Sequence, residues 1–165
     1  MALVIGCDPG LTGALAVVDG EALVRVDDMP VRTKRVNGSD RNVIDEQGLR
    51  DWLMERGMEG CQRAVIERVG GLPGQSASRA FTFGYGFGVL LSTARMLGFE
   101  VELVTPQEWK GKMLYTSRES RLKAASFTAA TKAFGNEHWK RKMDHGRAEA
   151  ALIALYGVKH VWGGK

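Results

Sequence analysis

What the chain lacks sets its first bounds. It has two cysteines in 165 residues, and neither a zinc-ligand spacing nor a disulfide framework can be drawn through Cys7 and Cys61. Each flanks an apolar strand-like run, which points to small buried thiols in a reducing compartment and away from a catalytic thiol at Cys7. No apolar run approaches the roughly 20 residues needed to cross a bilayer, so no membrane span is expected. Met1-Ala2-Leu3-Val4-Ile5 passes directly into a strand-like run, without the basic region and cleavage site of an export signal. The expectation is a protein that is not secreted. Repeats, low-complexity tracts and linkers are missing too, so residues 1–165 are expected to form a single domain, long enough to bury a core.

What is present fits that frame. An apolar share of 44% and a charged share of 25% are those of an ordinary globular domain. The net charge of +4 is unevenly spread: between Thr105 and Arg147 ten basic residues stand against four acids, and Arg32, Lys34, Arg35 and Arg41 form a second basic cluster. A surplus of this kind suits a polyanion, because each neutralised phosphate releases counterions. Charge alone leaves a merely solvated surface equally open.

Leu3 to Asp8 reads as a buried strand, Pro9 to Gly13 as a turn and Ala14 to Asp19 as a second strand. Asp19-Gly20 fits a tight hairpin, and Ala22 to Val26 completes an antiparallel meander. Asn37-Gly38-Ser39-Asp40 punctuates a polar, basic loop. Asp45 to Arg56 reads as a helix with Leu49, Trp52 and Leu53 at core spacing. Arg63 to Glu67 is a short strand ending in a carboxylate, followed by a Gly-rich loop from Gly70 to Gly74. A long helix is expected from about Ser76 to Leu97, where Gly84, Gly86 and Gly88 permit close packing. Glu100 to Val104 is a fifth strand, closed by Thr105-Pro106. Helices are expected over Ser117–Phe134, capped by Ser117 or Thr116, and over Gly146–Tyr156, stopped by Gly157. Three antiparallel strands, then helix–strand–helix–strand, then helices, describe an α/β chain with a mixed five-stranded sheet flanked by helices.

Three carboxylates, two at strand ends and one on the last helix, stand where apolar residues would be expected. Asp8 ends a run otherwise made of apolar, Gly and Cys residues, and Glu67 ends Ala64-Val65-Ile66 in the same way. Carboxylates are seldom fully buried unless paired or bound to a metal. Taken singly, Asp8 before Pro-Gly reads as a turn residue and Glu67 as a side chain reaching solvent; on neighbouring strands they offer a shared metal site. At about 100° per residue, Ala148, Leu152, Leu155 and Tyr156 define the apolar arc of the last helix. His145 and Glu149 fall within or at the edge of that arc, Asp144 at its other edge, and Arg147 points away. Glu149 therefore needs a partner, either a core Lys or Arg or a cation held jointly with Asp8 and Glu67. Such a donor set suits Mg²⁺, a hard ion that prefers oxygen, and two such ions about 4 Å apart can activate a water and stabilise the leaving oxygen in phosphodiester hydrolysis. His145 reads as a water-positioning group, an outer metal ligand, or simply a residue at the helix start.

These residues resemble a known family. Ile5-Gly6-Cys7-Asp8-Pro9-Gly10-Leu11-Thr12-Gly13 resembles the I-G-x-D-P-G-x-x-G opening of RuvC-type Holliday junction resolvases, and Val65-Ile66-Glu67 resembles their second acidic strand. Asp144 to Ala154 resembles the final acidic helix of the phage and organellar branch, as do Gln75-Ser76 through Phe83-Gly84 and Pro106-Gln107-Glu108-Trp109-Lys110. The resemblance implies an RNase H-like fold, a homodimer, and Mg²⁺-dependent cutting of paired strands at a four-way DNA junction, with Mn²⁺ also supporting activity and no nucleotide cofactor. It implies a place in the cytoplasm or an organelle nucleoid. Its four metal-binding acids would be carried by Asp8, Glu67, Asp144 and Glu149, with His145 as a further catalytic residue. Asp144 and Glu149 are five apart, where bacterial members space their two C-terminal ligand positions three apart. Those members also carry an aromatic wedge after the second acid, whereas Arg68 to Pro73 has no aromatic residue. Lys110, Lys112, Arg118, Arg121 and Lys123 are the candidates for phosphate contacts, and Trp109 reads as a packing residue.

Three other readings share some of these features. The turn from Asp8 to Gly13 overlaps the first phosphate motif of actin-like and sugar-kinase ATPases, but that fold duplicates the domain, which 165 residues do not accommodate. A nuclease of the same fold acting on an RNA–DNA hybrid, a flap or a structured RNA would use the same acids. A catalytically silent DNA-binding protein would keep buried carboxylates at a cost to stability.

Overall fold

The computed structural model describes residues 3–36, 38–68, 70, 74–114, 123–141 and 143–163. The meander is β1 (Leu3–Asp8), β2 (Ala14–Asp19) and β3 (Ala22–Asp28), with Gly20 at φ 59° in the β2–β3 turn. Then follow β4 (Val31–Val36), β5 (Ser39–Ile44), α1 (Glu46–Met58), β6 (Arg63–Glu67), α2 (Ala77–Met96), β7 (Glu100–Val104), α3 (Pro106–Met113), α4 (Lys123–Phe134) and α5 (His145–Tyr156). The central sheet has the order β3-β2-β1-β6-β7; β1 pairs antiparallel with β2 and parallel with β6, which pairs parallel with β7. This is the mixed five-stranded sheet expected, with helices on both faces.

The central strand β1 carries no charged side chain from Leu3 to Cys7 because both of its faces are covered there. Ile5 and Cys7 pack with Leu49 and Leu53 of α1 and Leu90 of α2, whereas Val4 packs with residues of α5 on the other side. Gly6 also faces α5: a Cβ there would stand 2.2 Å from the carbonyl oxygen of Ala150 and 2.3 Å from the amide nitrogen of Ala154. Backbone therefore lies almost directly on backbone, which Gly6 and the buried Ala148, Ala150, Ala151 and Ala154 make possible. The helix runs antiparallel to β1, with Gly146 over its Asp8 end and Gly157 against Val4 and Val65. Its first turn thus stands over the carboxyl ends of β1 and β6.

The fold departs from the sequence expectations in three places. Residues 31–44, read as a polar loop around Asn37-Gly38, hold the antiparallel ribbon β4–β5, with Gly38 at φ 80° in the turn. Thr105-Pro106, read only as the close of a strand, instead opens a helix, α3, over residues 106–113. Its signal is Thr105-Pro106-Gln107-Glu108, a capping box in which the Thr105 hydroxyl accepts from the Glu108 amide and the Glu108 carboxylate accepts from the Thr105 amide. Gly157 does not stop α5; it keeps right-handed helical angles and leads into a wider turn over Gly157–Val161. Glycine is required there for contact, since a Cβ would meet Val65 at 2.5 Å and Val4 at 2.9 Å. The expected start of α4, including Thr116 and Ser117, lies outside the described residues. Cys7 and Cys61 are buried, free thiols, and among the described residues no helix is long and apolar enough to cross a membrane.

Candidate metal centre

The register of the sheet brings the first two acids together. Cys7 lies opposite Ile66 in the parallel β1–β6 pair, so Asp8 and Glu67 leave the sheet side by side at the carboxyl ends of adjacent parallel strands, where open α/β sheets place their ligands. Strand alternation puts Asp8 on the same face as Val4 and Gly6, and Glu67 on the same face as Val65, the side that α5 covers. Gly146, in the first turn of α5, lets that helix close onto Asp8. A Cβ on Gly146 would stand 3.2 Å from an Asp8 carboxylate oxygen and 2.6 Å from the Thr12 carbonyl. One turn further on, Glu149 faces the same space.

The electrostatics follow from three acids sharing one base. Asp8 keeps some contact with solvent, yet crowding by packed apolar atoms raises its proton affinity well above the ordinary carboxylate range. The Glu149 and Glu67 carboxylates raise it further, and Lys110 opposes them. Glu67 is raised as well, first by burial and then by Glu149, against the opposing effects of Trp109 and Lys110. The Trp109 indole N–H donates to Glu67 at 2.6 Å, the Ser126 hydroxyl donates to Glu149 at 2.9 Å, and the Lys110 ammonium lies 2.9 Å from the same Glu149 oxygen. Among the described residues no donor meets the Asp8 carboxylate.

Asp144 is not part of this group. Its side chain is buried and accepts from the Arg141 amide at 2.8 Å and the Arg141 guanidinium at 2.6 Å, with Arg147 at 3.8 Å. Asp28 of β3 binds both arginines, at 2.8 Å and 2.6 Å. Burial pulls Asp144 upward, but the Arg141 hydrogen bonds and charge outweigh it and hold the carboxyl below its ordinary value. His145 opens α5, half-buried and one turn before Glu149; among the described residues it has no hydrogen-bond or ion-pair partner.

The expected phosphate contacts divide similarly. Lys110 reaches the carboxylates. Lys112, two residues along α3, is exposed and lines a separate cavity of about 300 Å³ with Lys132 and Lys159. Lys123 is the first residue of α4, and Arg118 and Arg121 lie outside the described residues. The sequence reading did not assign Trp109 and Ser126 to the site. The signal for Trp109 is general: a fully buried indole needs an acceptor for its N–H. A larger apolar cavity of about 530 Å³ between the C-terminal ends of α1 and α2 has no converging acids and is not the candidate site.

The donor set suits a hard divalent ion. Asp8, Glu67 and Glu149 are oxygen donors whose mutual repulsion a single ammonium leaves uncompensated, and Lys110 already occupies the place of a cation beside Glu149. As placed, no group of three or more His, Cys, Asp and Glu side chains among the described residues stands close enough together to hold an ion. Trp109, Ser126 and Lys110 instead engage the acids one at a time.

No family model matches the chain, nor does any curated protein. Among solved structures, Thermus thermophilus RuvC in complex with a Holliday junction substrate is similar over 99% of this chain and 97% of its own, with a TM-score of 0.67 and 17% identity. A second structure of Thermus thermophilus RuvC is similar over 98% and 96%, with a TM-score of 0.60 and 17% identity. The fold is that of RuvC, RNase H-like.

Proposed function

We propose that this chain is an RNase H-like endonuclease that resolves four-way DNA junctions by divalent-metal-dependent phosphodiester hydrolysis, with Mg²⁺ as the ion and Mn²⁺ able to replace it. The observation that carries the reading is the convergence of Asp8, Glu67 and Glu149 at the carboxyl ends of β1 and β6, with one lysine among them. Asp8, Glu67 and Glu149 are the residues that would hold the ion. A bound divalent ion supplies a water of lowered pKa and neutralises charge on the phosphate undergoing displacement. Trp109 fixes the orientation of Glu67, and Ser126 that of Glu149, so that the acids meet the ion without first ordering themselves. Lys110 moves its charge from Glu149 to an incoming phosphate, and His145 holds the attacking water. Asp144, held by Arg141, anchors the start of α5 and thereby the approach of Glu149 and Gly146 to Asp8.

The junction as substrate is supported by the likeness to a RuvC solved with a Holliday junction and by the sequence motifs. A two-fold dimer of one RNase H-like domain would offer two such centres to a substrate of matching symmetry, which would act in the cytoplasm or an organelle nucleoid. The test is an assay on synthetic four-way junctions, flaps, RNA–DNA hybrids and linear duplex, with and without Mg²⁺. Symmetric nicking of the junction, lost in Asp8→Asn while junction binding persists, is the expected result. Equal turnover of linear duplex and junction would overturn the resolvase reading, and preferred cutting of hybrids or flaps would reassign the substrate.

A further inference from the structure

The β4–β5 ribbon has two chemically different faces. Residues directly opposite in an antiparallel pair share a face, and the register pairs Arg32 with Val43, Lys34 with Arg41, Thr33 with Asn42 and Arg35 with Asp40. One face is internally satisfied: the Thr33 hydroxyl donates to Asn42 at 3.4 Å and Arg35 lies 4.0 Å from Asp40. The other carries Arg32, Lys34 and Arg41 without an acid of its own. Like charges directly opposite destabilise a strand pair, and among the described residues neither Lys34 nor Arg41 has an acidic partner.

That cationic face looks across a cleft of about 250 Å³ onto α2, lined by Leu11, Arg32, Lys34, Val43, Phe81 and Tyr85 among others. Glu46, also on the wall, is taken up by Arg32 at 3.1 Å and the Tyr85 hydroxyl at 2.7 Å. Phe81 is 76% exposed, a bare aromatic ring in the same cleft as Lys34. Leu11 lies three residues after Asp8 and therefore within about 11 Å of it along the chain, and it packs with the core on the α1 and α2 side of the sheet, opposite the side that α5 covers.

We propose that the cleft between the β4–β5 ribbon and α2 binds one strand of DNA, Lys34 and Arg41 neutralising consecutive phosphates while Phe81 stacks on an unpaired base. Cations along a groove with an aromatic platform are the recurrent means of holding a single strand. A second copy of the chain fits less well, because a two-fold interface sets a patch against itself and would bring Lys34 and Arg41 against their own kind. The proposal takes the identity of its polyanion from the nuclease reading above.

Binding without divalent ion tests it independently of cleavage, by fluorescence anisotropy of labelled single strand, linear duplex and four-way junction over a salt series. The Lys34→Ala/Arg41→Ala variant is expected to reduce the slope of log affinity against log salt by about 1.4 on single strand and about 1.8 on duplex, the loss of two phosphates. Phe81→Ala is expected to keep the slope and weaken single strand and junction by roughly 5- to 150-fold while sparing duplex. Arg35→Ala, on the satisfied face, is expected to leave the slope unchanged, and thermal unfolding of each variant checks that it is folded. An unchanged slope in the double variant overturns the proposal, as does an equal loss per charge in Arg35→Ala, which would mean that only net charge counts. A Phe81→Ala variant that loses self-association in sedimentation but keeps its DNA affinity would make this face an interface between copies and overturn it too. Failure of the wild type to cut junctions would sink the function proposed above and leave the cleft standing.

Discussion

Two clusters of acids flank the first turn of α5, and they are built in opposite ways. Asp28 and Asp144 meet Arg141 and Arg147, charge for charge. Asp8, Glu67 and Glu149 share Lys110. Proton affinities follow the balance: Asp28 and Asp144 are held below the ordinary carboxylate value, and Asp8 and Glu67 are pushed above it. Two acids five positions apart on one helix start thus do different work. The balanced pair fastens the helix to β3, and the unbalanced group gathers negative charge that a cation would relieve. Perturbation by burial and like charge in a cleft marks a functional site more often than perturbation by a salt bridge does.

The sharpest way to separate the two clusters is to neutralise one acid in each. Asp8→Asn is expected to cut junction cleavage by more than about 10²-fold, the scale on which a single electrostatic group matters in an active site. In EDTA the same variant is expected to gain stability, because it removes repulsion; a rise in Tm of roughly 2–4 °C corresponds to about 1 kcal/mol in a chain of this length. Asp144→Ala should move stability the other way. Removing one partner of a fully buried pair costs about 3–5 kcal/mol, and about 2 kcal/mol is expected here because Arg141 is half exposed and screened by solvent. Urea unfolding of both variants measures the contrast, and a loss of stability in metal-free Asp8→Asn would remove the distinction drawn between the clusters.

Gly146 joins the two clusters, so a methyl group there tests whether they depend on one helix position. The added Cβ would meet the Thr12 carbonyl at 2.6 Å and Asp8 at 3.2 Å, and backbone cannot yield as a flexible side chain would. Gly146→Ala is expected to lose roughly 1–3 kcal/mol by overpacking. It should also weaken the stabilisation by Mg²⁺ expected of wild type from the proposed metal site, which calorimetry with and without the ion reads directly.

The sequence made the central sheet legible because its strands are bounded by turn residues and its carboxylates interrupt apolar runs. Asp8, Glu67 and Glu149 stood out as polar side chains in positions that pack against something. The β4–β5 ribbon did not stand out, although Asn37-Gly38 is a strong hairpin dipeptide. Both of its faces are polar along most of their length, so there is no apolar alternation to read. Helix α3 was hidden by its length: eight residues give little periodicity, and only the Thr105–Glu108 capping box reports it. The separation of Asp144 from Glu149 was beyond sequence, since at the helix start both lie near the buried sector. What divides them is Arg141, brought back by a turn, and Asp28, more than a hundred residues away in the chain. Gly157 was misjudged for a related reason, because a glycine that prevents collision with Val4 and Val65 looks the same in sequence as one that ends a helix.

The smallest expected effect is the dependence of stability on pH, and its sign differs between the clusters. Asp8 has a folded-state proton affinity above its unfolded value of 3.8. Its contribution is therefore fully present below that value and is lost as pH rises through the raised one. Asp144 lies below 3.8 in the folded state, so its contribution is present above 3.8 and is lost as pH falls through the lowered value. As far as these two groups go, metal-free protein should accordingly lose stability on both sides of 3.8. Asp8→Asn is expected to flatten the decline on the alkaline side only, and Asp144→Asn the decline on the acid side only. Adding Mg²⁺ should oppose the alkaline decline in wild type, by about 2.7 kcal/mol at one hundred times its dissociation constant, and should not do so in Asp8→Asn. Thermal unfolding from pH 3 to pH 9, in EDTA and in Mg²⁺, reads all of these, and parallel profiles for the two variants would show that the carboxylate clusters are electrostatically one.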